Sequence, residues 1–169
     1  MPVPLTEIRK LNVDDLHAYR ALWLDGLRRF PEAFLLSEIE ALGVTDAQLI
    51  AGLLAGQHWG AFDAGRMVGL ASLKRAGLER LRHTGDFGPL YVLPQAQGRG
   101  VARKLLEAVL EAAQNDGLLQ VELCVDETNT RARDLYRAVG FEQFGRRPRS
   151  VLVNGVPRDD LLMLKRLDG

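Results

Sequence analysis

The chain has 169 residues, with 22 Lys plus Arg against 22 Asp plus Glu, so its formal net charge is zero. At roughly 150 residues per domain this predicts a single domain spanning 1–169, large enough to bury about 70% of its unfolded surface without staples. The 47% hydrophobic and 26% charged fractions exclude a disordered or fibrous chain, and the lack of a basic excess argues against nucleic acid as a partner.

The single cysteine, Cys124, rules out an intramolecular disulfide framework and a zinc cluster of several cysteines. No apolar run approaches the roughly 18 residues of a membrane span. Residues 1–7 lack the basic and apolar regions of a secretion signal. A cytoplasmic protein with no membrane partner is therefore expected.

Elements alternate along the chain, with no solenoid-length repeat. Residues 8–11 read as a short strand, and Asp14 or Asp15 supplies an N-cap carboxylate. Leu16, Tyr19, Trp23, Leu27 and Phe30 recur at spacings of three and four, one face of an amphipathic helix that Pro31 interrupts. Residues 34–42 read as a loose turn or mobile loop. Thr45 or Asp46 caps a short helix to Leu54, with Gly56 at its stop. Runs 59–62 and 67–73 read as a hairpin across Asp63-Ala64-Gly65-Arg66. Residues 75–86 are polar and irregular.

Run 87–93 is a strand ended by Pro94. Val101, Leu105, Val109 and Ala113 then form one apolar stripe of a helix that closes on Asn115-Asp116-Gly117. Residues 119–125 read as a strand, 130–138 as a helix stopped by Gly140, and 141–145 as a strand. Asn154-Gly155 marks a two-residue hairpin turn, and 161–167 is the last strand. This order predicts a mixed α/β (α+β) sheet, antiparallel in its first half, with one parallel pair in the middle. The crossover joining strands 87–93 and 119–125 should be right-handed.

The stretch Leu90-Tyr91-Val92-Leu93-Pro94-Gln95-Ala96-Gln97-Gly98-Arg99-Gly100-Val101-Ala102-Arg103 is a strand, a proline stop, a glycine-bearing turn and a helix start. A helix N-terminus carries unpaired N–H groups and the positive end of the dipole, which together make an anion site. Gly98 and Gly100 clear side chains from the path of a phosphate, and Arg99 and Arg103 add positive charge at the rim. An ordinary ligand-free turn has the same composition, so two glycines alone are weak evidence. Neither a P-loop nor the Gly-x-Gly-x-x-Gly dinucleotide fingerprint is present.

Gln97 to Ala102 does read as Gln/Arg-x-x-Gly-x-Gly/Ala, with Val92-x-Pro94 upstream. Asn129, Ala132, Leu135, Tyr136, Gly140 and Phe141 give Asn-x-x-Ala-x-x-Leu-Tyr-x-x-x-Gly-Phe. These two motifs, in register over 87–144, resemble the signatures of the GNAT superfamily of acetyl-CoA-dependent N-acetyltransferases. The resemblance implies a mostly antiparallel sheet flanked by helices, with acetyl-CoA in the opening where strands 87–93 and 119–125 splay apart.

For individual residues the resemblance implies the following. The backbone of Leu90, Tyr91 and Val92 would bond the pantetheine arm, and the Val92 N–H would serve the oxyanion. Gln97 and the N–H groups of Gly98, Arg99, Gly100, Val101, Ala102 and Arg103 would cradle the pyrophosphate. Asn129 would also contact the cofactor. Tyr136 would stand near the sulfur as general acid. Some relatives place a glutamate base where this chain has Cys124. Glu122, on the same strand face, is the base candidate here, with Asp86 and Glu79 as alternatives.

The acceptor wall is expected around Arg28, Arg29, Phe30 and Phe34, with the basic run Arg146-Arg147-Pro148-Arg149 as a second cluster that reads as a solvated loop. Cys124 reads as a small buried strand residue rather than a nucleophile. His17, His58 and His83 have no metal-ligand spacing, so no metal is expected. The implied reaction moves acetyl to a primary amine of a small molecule, or of a peptide or protein. Dimers are frequent in the superfamily, and no feature of this sequence marks an interface. The alternative is a domain that binds acyl-CoA without catalysis.

Overall fold

The computed structural model describes residues 5–169; residues 1–4, on which part of the leader reading falls, lie outside the described residues. Among the described residues seven strands form one sheet: β1 (Glu7–Lys10), β2 (His58–Asp63), β3 (Arg66–Arg75), β4 (Thr84–Val92), β5 (Gln120–Asp126), β6 (Glu142–Val153) and β7 (Val156–Arg166). Their order is β1-β2-β3-β4-β5-β7-β6. The five α-helices are α1 (Leu16–Arg29), α2 (Glu38–Leu42), α3 (Asp46–Leu54), α4 (Val101–Asn115) and α5 (Thr130–Val139). This is the predicted mixed sheet with one parallel pair, β4 with β5. Among the described residues no helix is long and apolar enough to cross a membrane.

The chain forms two compact units. One comprises the residues up to Leu73 with Pro89–Val109; the other comprises Lys74–Gly88 with Leu110–Gly169.

In the first unit, β1, β2 and β3 pair antiparallel. The predicted stripe buries Leu16, Tyr19, Trp23 and Leu27, while Phe30 lies beyond the helix end and stays exposed. Neither aspartate caps that region by its own side chain. Asn12 accepts from the Asp14 N–H at 2.9 Å, and the Asp15 carboxylate turns back to accept from the Asn12 N–H at 2.8 Å. Asp15 also takes two bonds from the Arg9 guanidinium, at 2.8 and 3.0 Å. An asparagine two residues earlier therefore does the capping that sequence assigned to a carboxylate.

Within residues 34–42, the stretch 38–42 is a helix rather than a loose turn or loop. Ser37 and Glu40 form a reciprocal capping box that starts α2. A five-residue helix offers no periodicity, so only the Ser-x-x-Glu spacing could have shown it. Thr45 caps α3 through the same device, with Gln48 as its partner.

In the second unit, β4 begins at Thr84, earlier than apolar content suggested, because ladder pairing needs backbone rather than apolar side chains. Its parallel register with β5 covers Thr84↔Gln120, Gly85↔Val121 and Asp86↔Glu122. The C-terminal segment is one long hairpin rather than several short strands. β6 and β7 pair from Glu142↔Leu164 to Val153↔Val156, with register shifts at Gln143/Gly145 and Arg147/Val151. Both faces of this hairpin are polar around the arginines, so hydrophobic alternation could not mark it. Asn154 (φ 51°) and Gly155 (φ 77°) make the two-residue turn that was predicted.

His58 is the most displaced base of the first unit. Its Nδ1 lies 2.6 Å from Ser72 Oγ, and its ring stands 4.6 Å from that of Tyr19. Burial pushes its pKa down from 6.5 to about 4, so the ring is neutral at pH 7. The unfolded chain binds a proton at His58 between these values and the folded chain does not. This contribution is complete above pH 6.5 and is lost as pH falls toward 4. Unfolding in urea should therefore show about 2 kcal/mol less stability at pH 5 than at pH 7. A His58→Gln variant should lose most of that slope, and a slope unchanged in the variant would assign it to other groups.

Candidate active site

In the first unit, the Leu93 N–H donates to the Val68 carbonyl on β3 at 2.9 Å. Alternate strand residues face opposite edges, so the amides of Leu90 and Val92 face away from β3 and that of Tyr91 faces it. After β4 the chain makes one 3-10 turn at Pro94–Ala96. The Gln97 side-chain amide then donates back to the Val92 carbonyl at 3.0 Å and closes the turn. Gln97 is thus engaged with the protein's own backbone.

Gly98 and Gly100 have φ of 78° and 76°, a region costly for residues with a β-carbon. A β-carbon at either position would meet nothing within 4 Å, so the space in front of the turn is open. Lys104 N–H to Gly100 C=O, at 3.0 Å, is the first bond of α4. The amides of Val101, Ala102 and Arg103 therefore have no acceptor inside the helix. An open, glycine-flanked turn with three free amides at a positive helix end fits a pyrophosphate.

The two arginines of this turn do not stand free. Arg99 donates to the Asp63 carboxylate, and Arg103 Nε donates to Glu107 Oε1 at 2.8 Å. The same holds at the expected acceptor wall. Arg28 bonds Glu38 at 2.6 Å and Arg29 bonds Asp25 at 3.0 Å. Sequence reading named these arginines and missed their partners: the i,i+4 spacing of Asp25 and Arg29 was a signal, while Asp63 had none.

Asp25 joins a second group around β4. The Tyr91 hydroxyl donates to its carboxylate at 2.7 Å. Burial and this bond together push the Tyr91 phenol far above its ordinary range. Burial works against the Asp25 charge, but Tyr91 and Arg29 hold its carboxyl below the usual range. Phe30 and Phe34 flank the Tyr91 ring at 6.0 and 6.1 Å between centroids. Of the four expected wall residues, the two phenylalanines thus lie on Tyr91 and the two arginines are spent in ion pairs.

In the second unit, β5 has one apolar and one polar face. Val121, Leu123 and Val125 are buried. Gln120, Glu122 and Cys124 alternate with them on the other face. Cys124 is exposed there, which corrects its reading as a buried residue. Partial burial, with Asp160, Asp86 and Glu122, pushes its thiol up against the pull of Arg147. It is therefore a poor nucleophile.

Asp86 stands directly across the parallel ladder from Glu122. Burial first, then the Glu122 charge, raises the Asp86 carboxyl above its ordinary value, and Lys74 opposes them. Glu122 accepts from the Gln120 side chain at 2.7 Å. Glu79, the third base candidate, sits in an exposed 3-10 turn.

Asn129 caps α5, its side-chain oxygen accepting from the Ala132 N–H at 3.2 Å. Tyr136 is buried and packs edge-on against Phe87 and Phe141, at 6.2 and 5.8 Å. Burial pushes its phenol far up, so it stays protonated at neutral pH. The basic run is strand rather than loop. Arg146 lies on β6 and bonds Glu127 at 2.6 Å and Asp159 at 2.5 Å.

The parallel β4–β5 ladder lies in the second unit, and the open glycine turn before α4 lies in the first. Residues 18–141 match the Acetyltransferase (GNAT) family, and the chain belongs to that family. It is 38% identical over 100 residues to N-alpha-acetyltransferase RimI of Mycobacterium tuberculosis, a match covering 57% of this chain and 58% of that protein. The chain thus spans little more than half the length of that relative. Its structure is similar to ribosomal-protein-alanine N-acetyltransferase from Brucella melitensis, with TM-score 0.80, 25% identity, and coverage of 95% and 99%. It is also similar to yncA from Salmonella typhimurium, solved with its cofactor acetyl-CoA, with TM-score 0.85, 21% identity, and coverage of 98% and 95%.

The Tyr91 packing makes a steric prediction. A β-carbon on Gly26 would lie 2.6 Å from Phe34 Cζ and 2.8 Å from Tyr91 Cδ2. Gly26→Ala should cost about 1–3 kcal/mol in denaturant unfolding, against the helix preference for alanine. Equal or greater stability in the variant would show that Phe34 does not pack there.

Proposed function

We propose that the chain is an acetyl-CoA-dependent N-acetyltransferase of primary amines, its two units working as one domain over 1–169. The observation that carries this reading is the open Gly98-Arg99-Gly100 turn with its free α4 amides. The family match, which runs through segments of both units, supports it.

Acetyl-CoA supplies an acetyl thioester. The amides of Val101, Ala102 and Arg103 would hold its pyrophosphate, and the β4 backbone amides turned away from β3 would bond its pantetheine arm. The Val92 N–H would donate to the oxygen that gains charge as the amine attacks. Asn129 would offer its side-chain N–H groups. Tyr136, kept protonated by burial, would donate to the departing sulfur. The Asp86–Glu122 pair would take the proton of an ammonium acceptor, with Asp86, whose carboxyl is raised above its ordinary value, as the base.

A small-molecule amine is the first reading of the acceptor, and a peptide or protein amine is the second. Glu122 on the polar face of β5, with Asp86 across from it on β4, supports a cationic acceptor. The pairing of Arg28 and Arg29 with Glu38 and Asp25 argues against an acceptor held by its own carboxylate. A lone cysteine supports a reducing, cytoplasmic setting.

Thermal melting with acetyl-CoA, CoA, ATP and NAD tests the reading. A ligand at 100 times its Kd adds about 2.7 kcal/mol, a shift of roughly 5–10 °C for a chain of this size. Acetyl-CoA and CoA should give that shift, and ATP and NAD should not. Absence of a shift from folded protein would sink the reading, and binding without turnover on small amines or peptides would favour the non-catalytic alternative.

The base has its own test. Glu122→Gln removes a negative neighbour, so Asp86 should ionise at lower pH. The acidic limb of the kcat/KM profile should move down by up to about one pH unit. Asp86→Asn should abolish that limb. A limb that stays in place in both variants would remove the pair from the proton path.

A further inference from the structure

Asp63 was no candidate in the sequence. It ends β2 at the hairpin turn, 36 residues before Arg99. Both oxygens of its carboxylate are used. Thr6 Oγ1 donates to Oδ1 at 2.8 Å, and the Arg99 guanidinium donates to Oδ2. The pair is sheltered, with side chains 29% exposed for Arg99 and 16% for Asp63. Arg99 Nε is buried with no hydrogen-bond partner, so Asp63 is the anchor of that head group.

Taking the turn before α4 as the phosphate site, we infer that Asp63 is a positioning residue for the cofactor's phosphates, acting through Arg99 to fix the turn whose amides receive them. Arg99 lies between two glycines in the left-handed region. Such a stretch has the most backbone freedom to lose when a ligand orders it. A side chain tethered at its centre orders the turn beforehand, and preorganisation is returned as affinity.

The electrostatics separate this role from a simpler one. A bare carboxylate beside a phosphate site repels the ligand. Paired with Asp63, Arg99 brings little net charge, so the pair's contribution is one of shape. Lys104, on the first turn of α4, also acts on Asp63 and holds its carboxyl down together with Arg99 and Thr6. Removing the Asp63 charge therefore has two opposed effects. Loss of the tether weakens binding, and loss of the carboxylate strengthens it. The sign of the change identifies the role.

The test uses the full chain, with acetyl-CoA and with S-acetyl-pantetheine, which lacks the pyrophosphate. Asp63→Asn should raise the Kd and KM for acetyl-CoA roughly tenfold and leave kcat within about twofold. Its kcat/KM for S-acetyl-pantetheine should match wild type. Arg99→Met removes the tether and leaves the carboxylate bare, so it should lose more affinity than Asp63→Asn, and the double variant should fall between the two. If Asp63→Asn fails to fold, Arg99→Met carries the same two-donor comparison. Unchanged or tighter acetyl-CoA binding would overturn the tether, as would an equal loss on both donors. A wild-type chain that binds no acetyl-CoA would overturn the phosphate-site reading itself. Wild-type binding with an insensitive Asp63→Asn overturns the tether alone.

Discussion

The amides of Val101, Ala102 and Arg103 have no acceptor within α4, and much of the first unit follows from keeping them ordered yet open. A helix start normally satisfies such amides with a capping side chain, as Thr45 does for α3. At α4 the residue before the helix is Gly100, which has no side chain to offer. The turn is instead fixed from outside. Gln97 ties it back to the end of β4, and Arg99 ties it to Asp63. The side chains that tie the turn down leave its amides unused, so the backbone donors at the start of α4 stay open.

The zero net charge of the chain has the same local logic. Around the turn and along the end of α1, each arginine has a carboxylate partner: Arg99 with Asp63, Arg103 with Glu107, Arg28 with Glu38, Arg29 with Asp25. Exposed pairs of this kind add little stability. Their effect is to cancel the long-range attraction that free arginines would exert on any polyanion. What remains is a short-range device, a dipole end and a set of directed N–H groups.

Legibility in the sequence followed the physics of each feature. The α4 stripe was readable because Val101, Leu105, Val109 and Ala113 are all buried, so burial wrote a period into the chain. The glycine turn was readable because positive φ demands glycine, and the Asn154-Gly155 hairpin for a related reason. α2 left no period, only a capping box. The long β6–β7 hairpin left no alternation, because its arginine-rich middle is held by backbone pairing and by Arg146. Asp63 was invisible because its partner Arg99 is 36 residues away and the pair carries no pattern, whereas Asp25 sits four residues before Arg29, a helical spacing that went unread. Cys124 was misplaced for the opposite reason: residue type suggested burial, while the strand period put it on the polar face with Glu122.

That polar face poses a question that stability alone does not answer. Like charges directly across a ladder are destabilising, yet Asp86 and Glu122 occupy paired positions on β4 and β5. The opposite face of β5 is filled with Val121, Leu123 and Val125, so the core does not require a carboxylate on either strand. Lys74 relieves the repulsion only in part, since the Asp86 carboxyl remains raised. The ladder therefore holds two facing carboxylates that its own stability does not call for.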